Sequence, residues 1–336
     1  MDFELSDDQV ALRDAAADLL AGRCSPTDVR AVVDGGGGWD RDLWAAMVEQ
    51  GWSAIAVPEA DGGVGLGWVE AAVLLEQVGA VVAPAPILGQ LVALEFLSSS
   101  SWGDALIAGE SIAAVSADPA SPVPFAPSAD VLVTVRGDDL VAVDLRADRP
   151  RAEPAMDLTR ELGWVSLDGR PTEVLDGGTA GVERFRDAGA VAYSAELLGI
   201  AQRALDMAVE YAKERVQFDR PIGSFQAVKH RCADMLVDVE GMRSAVYWAA
   251  WCLAADDGDR SVAASTAKTW CSDASKRVMA SCLQVHGGIG FTWESDVHLY
   301  LKRSQLDQLE FGDAVSHRAR LATMLRERVA AGESVI

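Results

Sequence analysis

The chain has 336 residues, half of them hydrophobic, and a formal net charge of −22 at pH 7. This length suggests two or three packed units. No run of about 18 apolar residues occurs, so we expect no membrane-spanning helix. The acidity disfavours non-specific binding to nucleic acid or anionic membranes, because either would require a basic face.

Helical patterns dominate the first 105 residues. "SDDQVALRDAAADLLAG" places Ser6 and Gln9 at the spacing of a capping box, ahead of apolar residues at helical period. A glycine-rich break, "DGGGGWD", precedes "DLWAAMVEQ", and two further helical stretches end at prolines and at "SSSSWGD". We therefore predict about four helices. The acidic N-terminus opens straight into the first helix, which predicts no secretory or transit signal.

The pattern changes between residues 106 and 180, where short valine-rich stretches are separated by Gly, Asp and Pro. Two of them flank "RGDDL", which is typical of a β-hairpin. From residue 181 onward the helical patterns are long, and four of them carry apolar stripes, which favours a bundle. The predicted fold class is mainly α with a small β domain: an N-terminal α-helical domain (1–105), a shortened β domain (106–180) and a C-terminal four-helix bundle (181–336).

The cysteines are five in number, scattered, and never at CxxC spacing. We interpret them as reduced core residues of a cytoplasmic protein, with neither a disulfide nor a metal role. They are Cys24, Cys232, Cys252, Cys271 and Cys282. The four histidines are also far apart and show no metal-ligand spacing.

Charge is unevenly distributed along the chain. Residues 1–180 contain 10 Arg, no Lys and 30 Asp and Glu, and the first lysine is Lys213. An anionic ligand would therefore lie against the C-terminal part. A solvated acidic surface without any ligand would give the same pattern.

Two segments of the C-terminal part could bind such a ligand. The first is "YAKERVQFDRPIGSFQAVKHR" (211–231), a cation-rich connection between two helices. An arginine fork beside a helix N-terminus suits a phosphate or diphosphate, although an ordinary helical hairpin with solvated charges would look alike. The second is "QVHGGIGFTWE" (284–294), whose glycines allow close approach of a ligand to the backbone. No strand precedes it, so it is not a Rossmann fingerprint, and His286 is interpreted as structural.

Together these segments resemble motifs of the flavin-dependent acyl-CoA dehydrogenase family. That family carries "R-x-x-F-G-x-P-I-x-x-F-Q" and, some sixty residues later, "Q-x-x-G-G-x-G". The counterparts here are "RVQFDRPIGSFQ" and "QVHGGIG", with Asp219 in place of the first glycine. "MDFELSDDQVALRD" and "GWSAIAVPEADGGVGLG" are similar to the family's opening helices. The resemblance covers most of the chain, is weakest at residues 106–180, and implies the fold class predicted above.

The resemblance also implies FAD as cofactor and assigns residues to it. Arg215 would bind the flavin diphosphate, Phe218 would pack against the cofactor, and Gln226 would lie close to it. The residues that would contact the adenosine half are Gln284, Gly287 and Gly288. In the family these groups reach across a subunit interface to FAD that is seated mainly on the neighbouring chain.

The β region departs from the family pattern. A "T-E-P-x-A-G-S-D" motif and a later tryptophan segment normally hold the flavin ring and part of the acyl-CoA. The best counterpart here is "SADPASPVPFAPSAD", which retains only Asp118 and Pro119, and no clear tryptophan segment precedes Trp164. We therefore expect that much of the flavin-ring seat has been lost.

The catalytic base is the second departure. The family's base is a glutamate just before a glycine, and aligning Gly312 with that glycine puts Phe311 at the base position in "QLEFGD". Glu310 lies one residue early, and its apolar neighbours predict a raised pKa. Some relatives carry the base on the preceding long helix, near Gly189 here, with Glu196 two turns later as a weaker candidate. Glu310, Glu196 and loss of the base all stay open, with loss favoured.

These departures predict a subunit of an FAD-dependent acyl-CoA dehydrogenase that completes the FAD site of an unlike partner. The resemblance implies desaturation of an acyl-CoA thioester, with an electron-transfer flavoprotein as electron acceptor. Actinobacterial α2β2 enzymes of steroid catabolism resemble this pattern, so a steroid side-chain CoA is one substrate hypothesis. The acyl chain stays open, because its pocket is expected to be lined by apolar residues. The alternatives are a self-sufficient homo-oligomer that uses Glu310, and a non-catalytic protein of this fold.

Overall fold

The computed structural model describes residues 4–118 and 120–334. Pro119, half of the retained Asp118 and Pro119 pair, lies outside this description. Among the helices described, none combines the length and apolarity that crossing a membrane would require. All five cysteines carry free thiols, and the described ranges contain no group of three or more side chains arranged to hold a metal ion.

Within residues 4–118 the chain forms six α-helices, two more than predicted. The predicted capping box at Ser6 and Gln9 is present. A second box, of Ser25 with Asp28, starts a nine-residue helix that the sequence analysis missed because so short an element shows no clear period. The helices are α1 Asp7–Arg23, α2 Pro26–Asp34, α3 Arg41–Glu49, α4 Trp68–Ala80, α5 Ile87–Leu97 and α6 Gly103–Ile107.

The valine-rich stretches form a small sheet, as predicted. The strands are β1 Ala113–Ser116, β2 Val123–Pro124, β3 Val131–Arg136, β4 Asp139–Asp144, β5 Leu162–Gly163 and β6 Thr172–Val174. The main sheet has the order β1-β3-β4-β6, with β1 parallel to β3 and the other neighbours antiparallel, while β2 pairs with β5 separately. Arg136 pairs with Asp139 across Gly137, whose φ is +65°, which confirms the hairpin predicted at "RGDDL".

The C-terminal part is helical apart from one short hairpin. Its elements are α7 Gly178–Glu214, β7 Val216–Gln217, β8 Arg220–Pro221, α8 Gln226–Ala254, α9 Arg260–His286, α10 Val297–Asp307 and α11 Ala314–Ala331. The sequence analysis did not separate α10. The succession of helical, β and helical parts confirms the predicted fold class, while the domain boundaries at 105 and 180 stay a prediction.

Helix α7 runs through the centre of the molecule. All of its residues from 187 to 201 are buried, because α4, α8, α9 and α10 pack around it together with strand β4. Where α7 crosses α4, both helices carry glycine. A Cβ at Gly199 would lie 1.8 Å from the Glu76 carbonyl oxygen, and one at Gly79 would lie 2.1 Å from that of Glu196. The two backbones therefore touch, and a methyl group does not fit between them.

We expect Gly199→Ala to lower the free energy of unfolding by about 1–3 kcal/mol, because the added methyl group pushes α7 away from α4. Gly22→Ala is the matched control. A Cβ at Gly22 meets nothing within 4 Å, so that substitution should be neutral or stabilise by up to about 1 kcal/mol. Urea denaturation of both variants measures the difference, and equal effects would contradict the tight crossing.

Candidate functional site

The connection between α7 and α8 is a tight β-hairpin. Strands β7 and β8 pair Gln217 with Arg220, and the two residues between them, Phe218 and Asp219, have φ values of +54° and +62°. Positive φ at both central residues is typical of a type I′ turn, which favours Asp among its residues. Asp219 therefore preserves the turn although it replaces a glycine of the family motif. Helix α7 ends at Glu214, directly before this hairpin.

The glycine-containing segment follows the end of α9. Gly287 leaves the helix with a φ of +64°. Added Cβ atoms at Gly287 and Gly288 would meet nothing within 4 Å, so bare backbone faces outward here. Gln284 lies exposed in the last turn of the helix. A ligand can therefore approach this backbone closely, as the sequence pattern predicts.

A stacked pair of rings joins these two segments. The centroids of the Tyr211 and His286 rings lie 4.6 Å apart, with 20° between the ring planes. His286 Nδ1 donates to the Cys282 carbonyl oxygen at 2.9 Å, which fixes the orientation of the imidazole. Tyr211 precedes Arg215 by one helical turn, and His286 follows Gln284 by two residues. The stack thus holds the hairpin beside the glycine segment, a link that the sequence analysis missed.

The two segments together present one exposed surface, which we call the cofactor face. It is formed by Arg215, Phe218, Gln226, Gln284, Gly287 and Gly288. Phe218 is 84% exposed, and Gln226 Nε2 donates to His230 Nε2 at 2.8 Å. In the described part of the chain Arg215 pairs with no carboxylate. A guanidinium without a carboxylate partner, beside glycine backbone that a ligand can approach, suits a diphosphate, so these residues fit the cofactor that the resemblance implies.

A second part of the site lies where the segment after α10 meets the β domain. A cavity of about 260 Å³ separates this segment from the loop between β1 and β2. We call it the loop cavity, and Ser116, Asp118, Leu162, Leu309 and Glu310 are among its lining residues. Its volume is below the roughly 300–1,000 Å³ of most ligand pockets. The loop cavity is therefore small for a flavin ring together with a thioester.

The β domain retains little of the family's flavin-ring motif. Asp118 accepts a hydrogen bond from the Ala120 backbone N–H at 2.9 Å, which shapes the loop between β1 and β2. Trp164, directly after β5, is 54% exposed. It is not among the residues that line the loop cavity. The loss of the flavin-ring seat therefore stays a prediction, which measurements of FAD binding can test.

Phe311 stands at the aligned base position, and its ring points inward. The backbone has a φ of +55°, and the ring packs against Phe185 and Tyr193 at centroid distances of 5.1 and 5.7 Å. A Cβ added at Gly189 would lie 2.0 Å from this ring. The loop position and the helix position of the family's base therefore face each other here. A phenyl ring fills the space between them, and neither position carries a carboxylate.

Glu310 lines the loop cavity beside Phe311. Burial raises the pKa of its carboxyl to about 7, against the opposing effect of the Arg160 and Lys268 charges, which confirms the predicted increase. Lys268 is fully buried, and its Nζ donates to the carbonyl oxygens of Asp307 and Gln308 at 3.0 and 2.9 Å. This lysine, which the sequence analysis missed, fixes the start of the segment that carries Glu310.

Glu196 is engaged in ion pairs. Its Oε1 lies 2.6 Å from Arg303 Nη1 and 3.5 Å from Arg160 Nη2, and all three side chains are buried. Both guanidinium groups therefore occupy this carboxylate. Glu196 also does not line the loop cavity. These contacts argue against the weaker base candidate of the sequence analysis.

We expect Glu310→Gln to stabilise the folded chain above about pH 7 and to leave its stability unchanged near pH 4. The pKa of Glu310 is raised from 4.5 to about 7 on folding, so the folded state binds the proton more tightly and stability falls as the pH rises across that interval. Removing this carboxyl therefore removes a loss of stability of about 3 kcal/mol. Urea denaturation at both pH values measures this, with Glu49→Gln as the exposed control. A variant no more stable than the parent at pH 8 would contradict the burial of this carboxyl.

Comparison with known proteins agrees with the geometry. Residues 6–98 match the acyl-CoA dehydrogenase N-terminal domain, and residues 176–325 match the C-terminal domain. The acyl-CoA dehydrogenase IpdE2 of Mycolicibacterium smegmatis is 36% identical over 304 residues, which cover 89% of this chain and 93% of that protein.

Two solved structures share the fold along nearly the whole chain. The ChsE4-ChsE5 complex from Mycobacterium tuberculosis has a TM-score of 0.86 at 27% identity and covers 97% of this chain and 99% of that chain. The Tcur3481-Tcur3483 steroid ACAD has a TM-score of 0.86 at 29% identity and covers 96% of this chain and 99% of that chain. The chain therefore belongs to the FAD-dependent acyl-CoA dehydrogenase family.

Proposed function

We propose that this chain is one of two unlike subunits of an acyl-CoA dehydrogenase, and that it completes the FAD site of its partner without abstracting a proton itself. The observation that carries the proposal is the Phe311 ring packed against Gly189. Proton abstraction requires a basic group within hydrogen-bond reach of the substrate. The Phe311 ring fills the space between the two possible base positions, so in this proposal the partner carries out that step.

The chemistry that FAD supplies when bound is acceptance of a hydride from the β-carbon of an acyl thioester. Loss of this hydride and of the α-proton gives the trans-enoyl-CoA. In this proposal Arg215 forms charge-assisted hydrogen bonds with the diphosphate, and Phe218 covers an apolar part of the cofactor. Gln226 lies close to it. The residues for the adenosine half are Gln284, Gly287 and Gly288.

The exposure of the cofactor face supports a role across a subunit interface. Phe218 is 84% exposed, and Arg215 has no carboxylate partner in the described residues. A partner subunit could therefore bury the phenyl ring, and its dinucleotide could use the donors of the guanidinium. The small loop cavity supports a flavin ring seated on the partner subunit, because this chain offers little room for a flavin ring of its own.

The substrate in this proposal is an acyl-CoA thioester of the steroid side-chain type, and the assembly is α2β2. Its support is the likeness to a two-component complex and to a steroid ACAD. An electron-transfer flavoprotein as electron acceptor follows from the family resemblance. A cytoplasmic location follows from the scattered free cysteines.

We expect this chain to hold little FAD when purified alone. Co-expressed with an acyl-CoA dehydrogenase-like product of a neighbouring gene, it should form a tetramer with a single FAD per unlike pair. Native mass spectrometry and flavin absorbance on the same sample give the mass and the stoichiometry. Full FAD occupancy in a homo-oligomer would contradict the proposal. A pair that binds neither FAD nor acyl-CoA would favour a non-catalytic protein.

The same pair tests the cofactor face. Arg215→Ala should weaken FAD binding about 10- to 100-fold, since a hydrogen bond to a charged group contributes about 1.5–3 kcal/mol. Arg277→Ala is the matched control, because Arg277 is also exposed but pairs with Asp238. Equal FAD affinities of the two variants would remove Arg215 from the cofactor site.

A second candidate function keeps the base on this chain. Glu310 faces the loop cavity, and its pKa of about 7 suits a general base. In that case Glu310→Gln abolishes turnover of the purified enzyme while FAD content is unchanged. Under the delegated-site proposal the same variant keeps turnover within about twofold of the parent, because the glutamine has nearly the same shape.

A further inference from the structure

The two groups that would hold the dinucleotide lie at the C-terminal ends of two different helices. Arg215 is the C-cap residue of α7, and Gly287 is the C-cap residue of α9. The C-terminal end of a helix carries a partial negative charge, so neither helix dipole attracts a diphosphate here. Binding therefore depends on how the Arg215 side chain is placed relative to the backbone at Gly287 and Gly288.

The main chain of Arg215 is fixed on both sides. Its N–H donates to the Tyr211 carbonyl oxygen at 2.9 Å, and its carbonyl oxygen accepts from the Ile222 N–H at 2.8 Å. A Cβ added at Gly223 would lie 2.8 Å from the Ala212 carbonyl oxygen, so the turn after the hairpin also touches the last turn of α7. The end of α7 therefore determines where the Arg215 side chain begins.

The glycine segment is held by His286. His286 Nδ1 donates to the Cys282 carbonyl oxygen at 2.9 Å, which fixes the ring. A Cβ added at Gly290 would lie 3.0 Å from His286 Cβ, so the segment folds back over this residue. Added Cβ atoms at Gly287 and Gly288 would meet nothing within 4 Å. The position of these two glycines therefore depends on His286 rather than on side-chain packing of their own.

The Tyr211–His286 stack connects these two ends. Its centroid distance of 4.6 Å and interplanar angle of 20° describe nearly parallel rings in contact, and such pairs contribute stability beyond the area that they bury. Both rings are half-buried. Tyr211 lies one turn before Arg215, and His286 directly precedes Gly287. A shift of either ring therefore changes the distance between the arginine and the glycine backbone.

The location of the stack argues against a merely space-filling role. Helix ends open more readily than helix centres. The ends of α7 and α9 carry the exposed residues Arg215 and Gln284, both of which belong to the cofactor face. A side-chain contact between two such ends restrains both of them. The restraint thus acts where a bound dinucleotide would need fixed contacts.

We infer that Tyr211 and His286 are positioning residues for the dinucleotide. Their stacked rings set the spacing between the Arg215 guanidinium and the backbone at Gly287 and Gly288 before FAD binds. The inference rests on the proposed function and adds two residues that act through the cofactor face. Presetting the two contacts raises affinity, because less conformational freedom is lost on binding.

The first test measures the FAD affinity of the unlike pair. Tyr211→Leu should weaken FAD binding about 3- to 10-fold, which is the effect expected from loss of one aromatic pair. Tyr211→Phe is the matched control, because it keeps the ring and removes only the hydroxyl, and it should stay within about twofold of the parent. Equal affinities of Tyr211→Leu and the parent would overturn the inference, and so would equal losses in the two variants.

The second test separates positioning from general stabilisation. In an Arg215→Ala background, Tyr211→Leu should change FAD affinity by less than about twofold, because the spacing between two groups matters only while both of them bind. A contribution of Tyr211 to overall stability would instead lower FAD affinity by the same factor in both backgrounds. That equal factor would overturn the inference.

The third test needs no cofactor. In the chain alone, hydrogen exchange at the Arg215 and Ile222 amides should be about 3- to 10-fold faster in Tyr211→Leu than in the parent, because loss of the stack frees the end of α7. Both amides donate backbone hydrogen bonds there. The amides of the β3–β4 hairpin are the internal control and should exchange at unchanged rates. Unchanged exchange at Arg215 and Ile222 would overturn the inference.

The outcomes distinguish this inference from the proposed function. A parent pair that holds no FAD would overturn the proposed function and the inference with it. A parent pair that holds FAD, together with an unchanged affinity of Tyr211→Leu, would overturn only the inference. If Tyr211→Leu does not assemble with the partner, His286→Leu removes the same stack from α9 and takes its place in all three measurements.

Discussion

Burial of α7 on all sides over residues 187–201 is the constraint on which the other features depend. Gly189, Tyr193, Glu196 and Gly199 are spaced at three or four residues, so they follow one face of this helix. Along that face Gly189 leaves space for the Phe311 ring, and Tyr193 packs against that ring. Glu196 pairs with Arg303, and Gly199 allows close approach of α4. The packing of Phe311, the buried Glu196–Arg303 pair and the close approach of α4 are thus properties of one helix face.

Arginine side chains have two different roles in this protein, one at the surface and one in the interior. On the cofactor face Arg215 is exposed and, in the described residues, has no carboxylate partner. In the interior Arg160 and Arg303 are surrounded by carboxylates and backbone carbonyls. An external anion can be bound only by cations whose hydrogen-bonding capacity is unused. Only the exposed arginine is therefore suited to a diphosphate, whereas the interior ones shape the protein.

The fold class, the long helices and the β3–β4 hairpin were predictable from the sequence because helical period and turn chemistry are local. Helix α10 was missed for a physical reason. Its buried positions include His298, Arg303, Ser304 and Asp307 besides Val297, Leu299 and Tyr300, so polar residues interrupt the apolar period that marks a helix. Arg303 and Asp307, which form buried ion pairs, therefore also make this helix hard to predict from the sequence.

The candidate site could be predicted only where its residues lie close together in the chain. The hairpin and the glycine segment are such cases, whereas Asp157 and Arg303 are 146 residues apart and leave no local pattern. Phe311 is intermediate, because its identity is readable but its consequence depends on Gly189 opposite. A glutamate at 189 would collide with the phenyl ring, and a glutamate at 311 would leave the space beside Gly189 unfilled by the ring. Gly189 and Phe311 therefore depend on each other, and placing a glutamate base at either position would require substitutions at both.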